Sequence, residues 1–319
     1  MHDRMLRGIV VSEIGFGAAQ LGNLYRATSD ADARAAVDAA WDGGIRYFDT
    51  APHYGVGLSE RRLGEALRDR PREQFVVSTK VGRLLVPTPE RAAAGLLDDD
   101  NGFAAPATHR REWDFSRDGI LRSIEGSLER LGLGHIDIVY LHDPDEHGEA
   151  AFTTGVRALI ELRDQGVVRA VGAGMNQAPM LTRFIEECDI DVVMVAGRHT
   201  LLDRTAQEEL LPRARERGVA VVAAAVYNSG LLSMPTVPDD ATYDYGPAPA
   251  DVISRARRLA EVCARHGVTL PEAAVQYPLR EETVASVVVG MRTAAQVEST
   301  LARYAAEIPE AAWRELESV

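Results

Sequence analysis

The sequence predicts a single (β/α)8 barrel over residues 1–319. Three observations carry that expectation. Short apolar runs alternate with longer helical patterns along the whole chain. Eight such runs can be set out, the number a closed parallel barrel requires. The runs are apolar on both faces, as strands covered on both sides must be. The competing architecture is a doubly wound sheet, which would place a glycine-rich phosphate loop after its first strand. Here Gly15-Phe16-Gly17 lacks a third glycine at the needed spacing, and no GKS or GKT sequence occurs.

The runs justify themselves in order. Met5 to Val10 reads as a small hairpin beneath the barrel. The first run is Ile14-Gly15-Phe16, and a helix from Asp30 follows, closed by Gly43-Gly44. The second, Tyr47 to Asp49, leads into a polar loop with Pro52, Gly55 and Gly57. The next helix has Ser59 as its expected N-cap, with Leu58 and Leu63 as a hydrophobic staple. The third run, Phe75 to Thr79, ends at Lys80. A helix from Arg117 to Leu131 precedes the fourth, Ile136 to Leu141, which ends at His142. A helix from Ala151 to Gln165 precedes the fifth, Ala170 to Ala173. Val192 to Val195 is the sixth. Ala220 to Ala224, after a helix closed by Gly218, is the seventh. The eighth is Ser286 to Val289, and a last helix begins near Thr293.

Two stretches read as long loops after strands three and seven: Leu84 to Asp114, and the proline-rich Ser233 to Ala250 with Tyr243-Asp244-Tyr245. Loops of this length in a compact domain are usually functional or disordered. Both rise from the catalytic face, so substrate lids are expected.

Composition narrows the partners. A net charge of -13 repels phosphate backbones and argues against nucleic acid. Cys188 and Cys263 form no framework or CxxC, which suits a reducing cytosol. No apolar stretch has the length of a signal peptide core or a membrane helix. A cytoplasmic enzyme acting on a small molecule, as monomer or homodimer, is expected.

The polar residues at the strand ends suggest its chemistry. Asp49, Lys80 and His142 end strands two, three and four, and Tyr54 lies just beyond Asp49. Free tyrosine, with a pKa near ~10, exchanges protons poorly at neutral pH. An ammonium ~4 Å away stabilises the phenolate by roughly 4 kcal/mol at an effective dielectric of ~20. That is enough to bring the phenol toward neutrality. Asp49 is the natural partner for a buried lysine, and His142 can orient a substrate oxygen. Beside a hydride carrier, this set makes a dehydrogenase or reductase.

FDTAPHYGVGLSERRLG, Lys80 after VVST, and YLHDPDE together resemble the aldo-keto reductases over nearly the whole chain. The resemblance implies a (β/α)8 barrel using NADPH or NADH. It assigns Tyr54 as general acid/base, Lys80 as the group lowering its pKa, Asp49 as the anchor of Lys80, and His142 as the positioner of substrate. LHDPDE, VGAGMNQ, VAGRHTLLD and NSGLL are similar to one branch, the aldose 1-dehydrogenases acting on L-fucose and D-threo-aldoses, with pyridoxal 4-dehydrogenase as a neighbour. That implies oxidation of a cyclic sugar at C1 to a lactone; pyridoxal or general aldehyde and ketone chemistry is the alternative.

For the cofactor, the resemblance points to Gly17 and Asp49 at the barrel mouth. It points to Asn228-Ser229-Gly230-Leu231 for the pyrophosphate, and to Gly290, Arg292 and Gln296 for the adenosine end. Ala196 and Ala224 stand where the family usually has a glutamine and an aromatic, so Asn176 and Arg198 are expected to compensate. Gly290 and Gln296 replace the cations that NADP-preferring members carry, which favours NAD and leaves Arg292 alone to meet a 2′-phosphate. Two other classes compete: a metal-dependent hydrolase using the His142–His147 loop, and a non-catalytic cofactor sensor, against which the complete tetrad argues.

Overall fold

The computed structural model describes residues 1–244 and 246–319; Tyr245, part of the Tyr243-Asp244-Tyr245 stretch, lies outside the described residues. Eight parallel strands close into a barrel: β1 (Ile14–Gly17), β2 (Tyr47–Asp49), β3 (Val76–Val81), β4 (Ile138–His142), β5 (Ala170–Met175), β6 (Val192–Ala196), β7 (Ala220–Ala224) and β8 (Val284–Gly290). Each pairs with the next in sequence, and β8 closes on β1.

Side-chain alternation builds two cores from these strands. The outward rows, including Phe48, Val77, Val139, Val171, Val193 and Val221, join the apolar faces of the surrounding helices. The inward rows make a smaller core with Tyr47, Val76, Ile138, Tyr140, Val192 and Val222. The expected hairpin, Asp3–Leu6 against Ile9–Ser12, packs Leu6, Ile9 and Val11 onto that inner core. The N-terminal end of the barrel is thereby closed with apolar side chains.

Helix α1 (Asp30–Asp42) starts where the Ser29 hydroxyl accepts from the Asp32 amide, and α3 (Arg117–Leu131) starts likewise at Ser116. Between them, α2 (Leu58–Leu67) begins at Gly57 in the left-handed region, so Ser59 is inside the helix and is not its cap. Its hydroxyl donates instead to Ala18 O at 2.7 Å and bonds Thr50 Oγ1 at 2.8 Å. The expected helix from Ala151 to Gln165 is interrupted: Ala151–Gly155 form a π turn ahead of α4 (Val156–Asp164). After β5 and β6 come α5 (Ala178–Glu187) and α6 (Leu210–Arg217). Between β7 and β8 lie α7 (Ala250–Arg265) and α8 (Leu270–Gln276). The helix near Thr293 is α9 (Ala294–Ala305), but it is not the last; α10 (Glu310–Glu317) follows. No helix among the described residues is long and apolar enough to cross a membrane.

Both long loops carry structure. Arg83–Pro87 pairs antiparallel with His109–Trp113, and Leu97–Asp98 with Phe103–Pro106. In the second loop, Thr242–Tyr243 pairs with Gly246–Pro247.

Candidate active site

The alternation that sends Tyr47, Ser78 and Tyr140 inward sends Asp49, Lys80 and His142 inward two residues later, at the C-terminal mouth. Register aligns them: Asp49 lies opposite Ser78, Lys80 opposite Tyr140, and His142 opposite Gly174. Lys80 Nζ donates to Asp49 Oδ2 at 2.6 Å and to Thr50 O at 3.0 Å. Asp49 Oδ1 accepts from Ser78 Oγ at 2.7 Å. Lys80 Nζ stands 4.8 Å from the centre of the Tyr54 ring.

Tyr54 is held there by a backbone-to-backbone contact. Gly55 has φ +60°, and a Cβ on it would lie 2.2 Å from Gly22 O. Only glycine lets the Tyr54 loop lie this close to the loop after β1. From the same motif, buried Glu60 accepts from Thr79 Oγ1 at 2.8 Å and from Arg130 Nε at 2.6 Å, tying α2 to β3 and α3.

Charges are unevenly sheltered. Burial opposes the Lys80 ammonium, yet attraction and hydrogen bonding from Asp49, with help from Tyr54, raise its pKa above the ordinary lysine value. For Tyr54, burial pushes the phenol up, and Lys80 pulls it down without cancelling that rise. This corrects the expectation of a near-neutral tyrosine: the low dielectric that strengthens the ammonium's pull also penalises the phenolate. His142 is held well below its ordinary value by burial, then by Arg83 and Lys80, so it is a neutral imidazole.

A cavity of about 960 Å³ opens over this group, within the usual range for small-molecule sites. Phe103 from the first long loop lies 6.2 Å from Tyr54, centre to centre, and Arg83 stacks 4.4 Å from Trp113. No group of three or more His, Cys, Asp or Glu able to hold a metal occurs among the described residues. His147 packs 4.6 Å from Trp113 instead, so the His142–His147 loop does not assemble a ligand set.

The comparisons with known proteins give the family. The aldo/keto reductase family model matches residues 13–319. The chain belongs to that family. It is an NAD(P)-dependent oxidoreductase. It is 50% identical over 310 residues to a D-threo-aldose 1-dehydrogenase of Pseudomonas sp., covering 97% of this chain and 94% of that protein. It is 41% identical over 327 residues to a pyridoxal 4-dehydrogenase of Microbacterium luteolum, covering 98% and 94%. An aldo-keto reductase of Bacillus halodurans in its holo form superposes with TM-score 0.77 at 27% identity, covering 100% and 96%.

In this aldo/keto reductase, eight of the expected site residues line the cavity: Gly17, Asp49, Tyr54, Lys80, His142, Asn176, Arg198 and Gly290. The remaining six, Asn228, Ser229, Gly230, Leu231, Arg292 and Gln296, lie outside its lining. Asn228, Ser229 and Gly230 form a tight turn with consecutive φ of 44°, 57° and 95°. Gln296 Oε1 accepts from the Arg292 amide at 2.8 Å. Arg198 is held by Asp244 of the second long loop at 2.7 and 3.0 Å.

Arg292, the one cation left to meet a 2′-phosphate, has its terminal nitrogens engaged within the protein. It is buried, and its two Nη groups donate to Leu24 O, Arg26 O and Thr28 Oγ1, bracing the loop after β1. The cavity wall suits a planar nicotinamide. Gly17, Ala18, Gly174, Ala196, Ala224 and Ala225 put little side chain into it, and the buried Gln20 Oε1 has no hydrogen-bond partner among the described residues.

Sequence reasoning missed His53, Arg83, Phe103, Trp113 and Asp143, which line the same cavity. His53 stood inside the quoted motif. Arg83 and Asp143 each follow a barrel strand closely, a position that marks catalytic-face residues.

Proposed function

We propose that this aldo/keto reductase oxidises a cyclic aldose of the D-threo or L-fucose type at C1, giving the lactone. One observation carries the reading: a phenol on the cavity wall beside a buried ammonium that a carboxylate anchors at 2.6 Å. Similarity to the D-threo-aldose 1-dehydrogenase supports the sugar substrate.

Neutral His142 holds the C1 oxygen against Tyr54, and Tyr54 takes the hydroxyl proton as hydride leaves C1. Lys80, kept charged by Asp49, stabilises the phenolate form of Tyr54 that accepts that proton, against the burial that favours the neutral phenol. When bound, NAD or NADP supplies the hydride acceptor and a positive ring charge near the phenol. Gly17, Asn176 and Gly290 would hold that group from the wall, and the 228–231 turn and the 290–296 segment would take its pyrophosphate and adenosine ends. NAD is preferred, because Gly290 and Gln296 bring no cation and the Nη donors of Arg292 are engaged within the protein.

Pyridoxal oxidation is the second reading, favoured by the 41% identity to the pyridoxal enzyme. Initial rates with L-fucose, other aldoses, pyridoxal and simple aldehydes, each with both cofactors, decide between them. The highest kcat/KM is expected for an aldose with NAD. No turnover of any aldose beside efficient turnover of pyridoxal overturns the sugar assignment. A clear NADP preference overturns the cofactor assignment.

A further inference from the structure

His53 lines the cavity beside the reacting pair and has no task in the tetrad. Its ring lies 5.5 Å from His142 and 6.1 Å from Tyr54, centre to centre, and meets Phe103 edge-on at 5.3 Å. Arg83 Nη1 stands 3.3 Å from His53 Nδ1. A guanidinium carries donors and no acceptor at neutral pH, so Nδ1 must accept and the ring proton must sit on Nε2. Arg83 is itself fixed by Asp143 Oδ2 at 2.5 Å. The His53 carbonyl accepts from Arg111 Nη2 at 2.6 Å, and Arg111 is paired through both terminal nitrogens with Asp98. Backbone, ring plane and tautomer are therefore all set by neighbours. Nε2–H has no partner among the described residues.

We propose that His53 is a substrate-contacting residue, its Nε2–H donating to a hydroxyl oxygen on the carbon chain beyond the reacting centre. It makes hydroxylated substrates better than hydroxyl-free ones of the same length. Arg83 is the positioning residue that fixes the tautomer. The inference deepens the aldose reading and rests on it for the physiological substrate. The residue also stays uncharged over the working range: burial, then Arg83 and Arg111, lower its pKa to about 2. An imidazole kept neutral suits a neutral hydroxyl partner better than an anionic one.

The test compares wild type, His53→Leu and His53→Gln on two substrate pairs. One pair is the preferred aldose and its deoxy analogues. The other, in the reductive direction, is glyceraldehyde and propionaldehyde. Loss of one such bond raises KM for the hydroxylated member about tenfold in His53→Leu, with kcat little changed. His53→Gln, which keeps a side-chain N–H, recovers part of the loss. Propionaldehyde and the deoxy analogue lacking the contacted hydroxyl show wild-type ratios. An equal effect on both members of each pair, or none on either, overturns the proposal. Failure of wild type to oxidise any aldose overturns the sugar reading separately, and the glyceraldehyde pair still tests His53. Thermal unfolding of each variant confirms that it is folded.

Discussion

The closed and open ends of the barrel hold the same side chain under opposite conditions. At the closed end, Tyr47 and Tyr140 are fully buried with hydroxyls 3.1 Å apart, and Ser78 Oγ lies 3.0 Å from Tyr47. Burial raises both phenols well above the ordinary tyrosine range. At the open end, Tyr54 is only partly covered, and Lys80 beside it works against the rise. Two residues along each inward row separate the two settings. Burial alone makes a phenol inert. An ammonium and access to substrate make the same phenol usable.

The sharpest way to break this comparison is Tyr54→Phe. It removes only the hydroxyl, so kcat is expected to fall at least ~100-fold while cofactor affinity stays at the wild-type value. Steady-state kinetics with a fluorescence titration of the cofactor measure both, and a kcat within a few-fold of wild type would remove Tyr54 from the chemistry.

Lys80→Met comes next. It strands Asp49 as a buried, unpaired carboxylate, with an expected cost of roughly 3–5 kcal/mol in unfolding stability as well as lost turnover. Adding Asp49→Asn is expected to recover much of the stability and none of the activity. Denaturant unfolding beside kinetics separates the two effects, and a stable, active Lys80→Met would contradict them.

Acid acts on the open end. His53 has a folded pKa of about 2, below its unfolded value near ~6.5. Its contribution is therefore complete above pH ~6.5 and is lost as pH falls toward 2. At pH 5 the loss is roughly 2 kcal/mol. Urea midpoints at pH 7 and pH 5 for wild type and His53→Gln isolate it, because the variant lacks this term; equal pH dependence in both proteins would refute it.

Tyr140→Phe, at the closed end, is the smallest change. One buried hydroxyl bond is lost at about 1 kcal/mol, and kcat stays within twofold. A large fall in kcat would show that the hydroxyl chain through Tyr47 and Ser78 reaches Asp49 functionally, and the two ends would no longer be independent.

Much of this was legible beforehand. The eight strands fall where apolar runs and terminal Asp49, Lys80 and His142 placed them, because strand burial writes a local pattern. Ser59 was misread as a cap. A serine before a helical pattern looks the same whether its hydroxyl caps the helix or reaches across to Ala18 O. Arg292 reads as free to meet a 2′-phosphate because its partners, Leu24, Arg26 and Thr28, are more than 260 residues away. The two long loops read as without strands because their short antiparallel pairs carry little periodicity.

By itself the sequence determined the barrel, the strand-end residues and the family, since each is encoded in local pattern or a contiguous motif. Tertiary structure decided which charges meet and what that does to them. The Tyr54 phenol is net raised, and Arg292 is engaged with a distant loop. His53 has one tautomer, selected by Arg83. These depend on burial and through-space neighbours, which no local stretch of sequence specifies.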